Sequence, residues 1–331
     1  MFTPVHTSLG ALLLYQGSSG LLLHNGAVFG ISSLLSGGLL RPSWENVPVL
    51  AGLVSSLLPV ALCMPSLIPS YPTAPNSWIS LASTLAMGFL LGWGTKNGRG
   101  CTSGHMLCGV SRLSPRSVIA TAIFFTTAVL TANFLPGRQD LPACADGRPF
   151  YLPVYPTAAE GGFMAATTLL AFATNWYAVP RVLSRSENSR TGFAYLAGLQ
   201  FGTGLLFTGM ADPEKVLRFL VGLTDPARFD PSLALVIVFG IVPSMVTYLS
   251  RRPGQNGQKM GGPSKPTLAE TWRLPTATVA DIDWRFVAGA VIFGVAWGLC
   301  GVCPGPAILR SVVQPTWGLA EMAGYMLGNL V

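Results

Sequence analysis

The chain has 331 residues, half of them hydrophobic and only 10% charged, whereas soluble globular domains carry about 25% charged residues. Lipid is therefore the expected solvent, and apolar runs recur along the whole chain, which leaves no stretch for a separate soluble domain. The net charge of +7 is spread through the connectors of this apolar chain, a pattern that positive-inside bias explains better than a nucleic-acid surface does.

Taken in order, apolar runs able to cross about 30 Å of hydrocarbon predict crossings near 17–37, 47–62, 77–93, 117–135, 161–178, 192–210, 232–249, 284–300 and 316–331. The expected fold is an all-α polytopic protein of the cell membrane, a single transmembrane transport domain over 1–331 with about nine transmembrane helices. The early run Leu9–Tyr15 is too short to span and has no basic leader, so it predicts a half-helix or interfacial segment instead of a signal peptide. Two connectors are basic: Arg181, Arg185 and Arg190 against Glu187, then Arg251, Arg252, Lys259, Lys265 and Arg273 against Glu270. Both are assigned to the cytoplasm, which puts 211–231 outside and the 94–115 loop inside.

Internal similarity predicts a duplication. GAVFGISSLLSG (26–37) aligns with GLQFGTGLLFTG (198–209), and GFLLG (88–92) with GVAWG (294–298), in the same order. Five predicted crossings separate the first pair, an odd number, so the halves 1–180 and 181–331 are expected to run oppositely as an inverted repeat. Ser114-Pro115, Asp212-Pro213 and Asp230-Pro231 each place a capping side chain before a proline at the first helical position. Cys303-Pro304 has the same form inside an apolar stretch, which marks a broken helix, tolerated where protein or a water-filled cavity satisfies the freed amides.

The chemistry concentrates in GFLLGWGTKNGRGCTSGHMLCGVSRLSP (88–115) and GVAWGLCGVCPGP (294–306). Gly100, Cys101, Thr102, Ser103, Gly104 and His105 suit a re-entrant loop leading into a helix, whose free amides and positive dipole end favour an anion. The Cys303-Pro304-Gly305-Pro306 start is expected to offer much the same from the other half. Thiols tolerate an apolar wall and are weak, polarizable donors, so Cys101, Cys108, Cys300 (next to Gly301) and Cys303 are candidate stations for a soft sulfur anion that must also leave again.

Blander readings stand beside these. Gly88 and Gly92 also fit close helix packing, Cys108 and Cys300 also fit the core, and His105 fits a local backbone cap as well as a proton carrier or anion donor. Cys63 and Cys144 read as packing and a stray surface thiol. Lys96 and Arg99 read as ordinary loop charge or as an attractor at the inner mouth. The cysteine spacing is not that of a zinc knuckle, so no metal is expected, and no cofactor is implied. Glu321 is the main carboxylate within a predicted span, which disfavours a carboxylate relay, and no phosphate-binding GxxxxGK[ST] sequence is present.

With GWGTKNGRGCTSGHMLCGVSRLSPRS (92–117), FGTGLLFTGMADPEKV (201–216) and WGLCGVCPGPAI (297–308), the chain resembles the YeeE/YedE sulphur-transport family over nearly its full length. The resemblance implies an hourglass-like inverted-repeat fold in which thiosulfate passes between cysteine thiols. By motif, the GCTSGH cysteine is Cys101 and the CPGP cysteine is Cys303. The family's further cysteine near the outer entrance has no counterpart around GAVFG, where Ser32 and Ser33 stand. The expected function is thus a membrane transporter or channel for thiosulfate or a similar sulfur anion, not an enzyme, with a soluble sulfurtransferase as the class of partner. The rival is a membrane-embedded thiol oxidoreductase or sulfurtransferase using Cys300 and Cys303.

Overall fold

The computed structural model describes residues 1–71, 78–135, 141–142, 147–254 and 265–331; Cys144 and Lys259 lie outside them. Among the described residues the architecture is helical, with no strand beyond two isolated bridges, Phe2 with Pro153 and Ala27 with Arg273. The helices are α1 (Pro4–Asn25), α2 (Ile31–Leu40), α3 (Val47–Cys63), α4 (Trp78–Asn97), α5 (Ser103–Val110), α6 (Pro115–Phe134) and α7 (158–182). After these come α8 (Glu187–Thr208), α9 (Pro213–Leu220), α10 (Pro231–Arg251), α11 (Trp284–Cys300), α12 (Pro304–Val313) and α13 (Pro315–Leu330).

Two long helices carry a wide turn where a proline requires one. Pro180 and Pro243 cannot donate to the helix ladder, and each ring would press on the carbonyl four residues back. The π turns Thr174–Ala178 in α7 and Ile237–Ile241 in α10 contain those carbonyls and absorb the misfit without ending the helix.

Most helices fall on predicted runs, and the first one does not. Leu9–Tyr15 belongs to a full 22-residue helix, α1, not to a half-helix, and the chain breaks at Gly26, left-handed at φ 69°, inside the predicted 17–37 crossing. The misreading has a physical cause. Thr7, Gln16, Ser18, Ser19, His24 and Asn25 lower the hydropathy of α1, yet all are buried against protein, so α1 did not need to be apolar all round. The first glycine alignment fails with it: Gly26 and Gly30 lie in the break before α2, whereas Gly198 and Gly202 sit inside α8.

By length and apolarity, three of the described helices are able to cross a membrane, α4, α6 and α10, or four if α11 and α12, bent by 40° at their junction, form one span. The expected number of about nine is not reached on these criteria. α8 is as long as α1 and equally enclosed, and α11 and α13 have 17 and 16 residues.

Glycines set the packing directions. α1 and α8 run antiparallel, Gly10 facing Thr208 and Gly17 facing Ala197; α4 and α11 also run antiparallel, Gly94 facing Phe293 and Gly98 facing Ala290. α3 runs parallel to α8, with Val49 at Gly198 and Leu53 at Gly202. α10 runs parallel to α1: the Thr3 amide donates to Ser232 Oγ at 2.9 Å, and the Tyr15 and Thr247 hydroxyls pair at 2.8 Å. α13 lies parallel to α4 and α11 parallel to α6, so each of these pairings joins a helix before residue 180 to one after it. Each end of the bundle holds its own ion pairs. Arg99 with Asp283, Arg190 with Glu45 and Arg185 with Glu270 share one end. Arg218 with Glu214 and Arg228 with Asp225 share the other.

Gly88 and Gly92 are packing glycines, as the blander reading held: a Cβ at either would run into the backbone carbonyl of Glu321 or Tyr325 on α13. Gly88→Ala and Gly92→Ala are expected to lower stability by about 1–3 kcal/mol, the usual cost of overpacking. Gly162→Ala in α7, with nothing near its added methyl, is the neutral control. Thermal unfolding of the detergent-purified variants, followed by size exclusion, measures the difference.

Candidate functional site

Two broken helices meet in the middle of the bundle. α4 ends at Asn97, and the chain then turns back through Arg99 at φ 55° and Gly100 at φ 155°. A Cβ on Gly100 would press on the His105 ring, so only glycine suits both the dihedral and the space. This turn carries Cys101 into the interior, where it is 1% exposed, and α5 starts at once behind it. From the other half, α11 is capped by Gly301 at φ 68°, and Cys303, buried, stands as the cap residue of α12.

The two starts touch. Thr102 Oγ1 lies 3.5 Å from Cys303 Sγ, Cys101 Sγ lies 3.2 Å from Ser103 Oγ, and Ser103 Oγ accepts the Ile31 amide at 3.0 Å. Cys101, Thr102, Ser103 and Cys303 line one cavity with Ile31, Met106, Phe201 and Met210. Its volume is about 30 Å³, room for about one or two waters, so the cavity is closed to anything larger in this conformation.

The two helix starts are not equivalent donors, which corrects the expected likeness. The first turn of α5 presents the amides of Thr102, Ser103 and Gly104, while His105 N is taken by the Cys101 carbonyl at 2.9 Å. On α12, Pro304 and Pro306 have no N–H, and Ala307 N is taken by the Cys303 carbonyl at 3.0 Å, which leaves Gly305 alone. The Cys303 half thus contributes a thiol and a rigid apolar wall more than a dipole end with free amides.

Among the other expected site residues, Gly100, Gly104 and His105 line a second, larger cavity of about 390 Å³ beside the first. Both ring nitrogens of His105 are engaged, Nε2 with the Gly98 carbonyl at 2.9 Å and Nδ1 with Ser117 Oγ at 3.1 Å. Since a carbonyl only accepts, Nε2 carries the proton and the imidazole clamps the bend. Cys108 Sγ points to the Phe29 carbonyl at 3.3 Å, away from the central cavity. Cys300 Sγ accepts the Val302 amide at 3.4 Å, and Gly301 packs against Pro213; neither lines the central cavity. Glu321 is paired with Arg310 of α12 at 2.9 Å. Cys101, Cys108, Cys300, Cys303 and the exposed Cys63 are all free thiols.

Sequence reasoning missed the partners that complete the wall. Ile31 opens α2 directly after the Gly26–Gly30 break, which falls inside the expected 17–37 crossing. Met210 follows the left-handed Gly209 cap of α8, inside a motif singled out for resemblance but assigned no role. Arg112 and Arg116 line the larger cavity together with Lys96 and Arg99. At that mouth the carboxyl of the exposed Asp281 is held below its ordinary range by hydrogen bonds from the Thr278 backbone and side chain, so it stays ionised.

Residues 69–130 match the family described as sulphur transport, and residues 191–328 match a family of unknown function, DUF6691. A probable transporter of Xylella fastidiosa (strain Temecula1 / ATCC 700964) is 40% identical over 131 residues, which cover 91% of that protein and 38% of this chain. A probable transporter from strain 9a5c is 39% identical with the same coverage. Another protein of strain 9a5c, also a probable transporter, is 39% identical over 115 residues, 70% of its own length and 35% of this chain.

The burial pattern predicts an order of thiol reactivity. With Cys144→Ser to simplify the count, N-ethylmaleimide is expected to modify the exposed Cys63 first and Cys101 and Cys303 last, at least about tenfold more slowly, since reaction needs an accessible thiolate. Peptide mass mapping over a time course reads the order, and early modification of Cys101 would contradict a closed cavity.

Proposed function

The chain belongs to the sulphur-transport family of the YeeE/YedE type, and from that premise we propose that it is a multi-pass membrane transporter or channel for thiosulfate or a similar sulfur anion. The observation that carries this is the convergence of Cys101 and Cys303, from two separate broken helices, on one closed cavity lined by Thr102 and Ser103. The anion's oxygens meet the first-turn amides of α5, and its soft terminal sulfur meets the two thiols. Each contact is weak, which allows release, and transfer between neighbouring thiols replaces one deep site with two shallow ones. No covalent step is required.

The two halves, 1–180 and 181–331, are read as an inverted repeat. Supporting this is the matched set of packing directions: α1 against α8 and α4 against α11 antiparallel, with α10 along α1 answering α3 along α8, and α13 along α4 answering α6 along α11. The shortness of the relatives, nine-tenths covered by about two-fifths of this chain, also fits a duplicated unit. The end that holds Arg99, Arg185, Arg190 and Arg251 is assigned to the cytoplasm by positive-inside bias. A soluble sulfurtransferase is the class of partner that would consume the anion there. A thiol-redox enzyme built on Cys300 and Cys303 has less support, because the two sulfurs turn to different partners, Val302 and Thr102.

Radiolabelled thiosulfate uptake into proteoliposomes tests the reading. Cys101→Ala and Cys101→Ser are both expected to reduce uptake by more than about tenfold, equivalent to 1.4 kcal/mol. Serine keeps a donor but loses the soft sulfur, so wild-type uptake by Cys101→Ser at equal membrane levels would overturn the thiol path. Cys303→Ala is expected to reduce uptake substantially, and Cys108→Ala less, since its thiol faces Phe29. External sulfate is expected to compete poorly.

Sidedness has its own measurement. Cysteines placed at Arg185 and Glu214 are expected to react with an impermeant maleimide from opposite faces of the membrane. Labelling of both from one face would sink the topology.

A further inference from the structure

The cavity beside the thiols has chemistry of its own. Its volume is about 390 Å³, against about 30 Å³ for the central one, and Arg99, Arg112, Arg116 and Lys96 line it together with Ser33 and Asn329. Among the described residues no cysteine faces it. Arg116 is 8% exposed, and its buried Nε has no hydrogen-bond partner among the described residues. Its guanidinium lies over the Phe286 ring, 5.7 Å from the centroid. Among the described residues Arg112 engages only its Nε, donating to the Cys108 carbonyl at 3.2 Å. The acidic groups at this mouth offset only part of the positive charge: Asp283 pairs with Arg99 at 3.5 Å, and the exposed Asp281 carboxylate, which accepts from Thr278, acts on Arg99 and Arg116 from beyond ion-pair distance. Among the described residues neither Arg112 nor Arg116 has a carboxylate within ion-pair distance.

A buried guanidinium with an unpartnered nitrogen, as at Arg116, is costly unless an acceptor reaches it, and the half-buried Arg112 on the same concave wall adds like-charge repulsion. Both costs disappear when an anion with several oxygens sits between them, because each planar fork matches two oxygens. We infer that this cavity is a binding site for a small dianionic oxyanion of the sulfate type, held by Arg112 and Arg116. Guanidinium groups and hydroxyls recognise oxygens and offer nothing special to a soft sulfur, so sulfate and thiosulfate bind here alike. The place of this site, as an inner waiting station separate from the selective thiol cavity, rests on the transporter reading; the binding itself does not.

The test begins with binding alone. Detergent-purified full-length protein is titrated with sodium sulfate by isothermal calorimetry at constant ionic strength, which needs no transport. Saturable binding is expected, weakened about tenfold or more in Arg112→Gln and in Arg116→Gln, the scale of one charge-assisted hydrogen bond, and thiosulfate is expected within about threefold of sulfate. If Arg116→Gln fails to elute as a monodisperse species, the more exposed Arg112→Gln decides. Repeating the titration with added phosphatidylglycerol separates a free oxyanion from a lipid headgroup phosphate. In proteoliposomes of defined orientation, sulfate loaded on the arginine side is expected to slow thiosulfate movement while sulfate on the opposite side does not. No saturable sulfate binding, binding unchanged in both variants, or binding abolished by the anionic lipid would each overturn the assignment.

Discussion

Two helix starts buried in the middle of an apolar bundle impose the central constraint. Away from water, every amide and carbonyl freed by a break must find a partner within the protein. On the α5 side His105 answers much of this, bridging Gly98 of the incoming turn to Ser117 of α6, while Ser103 takes the Ile31 amide of α2. On the α12 side the chain removes the need: Pro304 and Pro306 have no amide hydrogen to satisfy. The same interior break is thus stabilised by added partners in one half and by deleted donors in the other. Only the first leaves a polar face, so any anion at the centre is held chiefly from the α5 side.

Holding such a centre requires helices that approach closely, because burial against lipid-like neighbours supplies little drive for association. Glycines let α4 reach α13 and α1 reach α8 with backbone in contact, and polar side chains add specific links between helices. Asn175, at the π turn of α7, donates to Gln16 Oε1 at 2.9 Å and Gln200 Oε1 at 3.2 Å, tying α7 to α1 and α8. Arg310 with Glu321 ties α12 to α13. These links explain how α1 and α8 tolerate so many polar residues: their solvent is other helices.

The broken-helix centre was legible in the sequence because its signals are local. Glycines before Cys101, prolines after Cys303 and hydroxyls at 102–103 report backbone geometry directly, and both cysteines line the same cavity. The position of α1 was not legible, because hydropathy measures affinity for lipid and α1 is buried in protein. A glycine pattern likewise cannot tell a helix contact from a helix end: Gly26 caps α1, while Gly198 packs on Val49 within α8. Arg112 and Arg116 escaped notice for a related reason. Charge near the ends of helices reads as loop charge until the fold brings Arg112, from the turn after α5, and Arg116 of α6 to one wall.

The two cavities differ in what they ask of an anion. The larger one presents guanidinium groups, so on the proposed reading it concentrates dianions without sorting them. The smaller one is lined by no lysine or arginine among the described residues, and its size means that on the proposed path an ion enters only after its water is shed. For sulfate, four hard oxygens lose water and regain only a few amides. For thiosulfate, one end is already weakly hydrated and meets polarizable thiols from Cys101 and Cys303. Discrimination on the proposed path therefore belongs to the thiol constriction, where dehydration is incomplete in its repayment for the wrong ion. A charged residue placed there would hold every dianion more tightly, reduce the difference between them and slow release, which gives a physical reason for an uncharged centre.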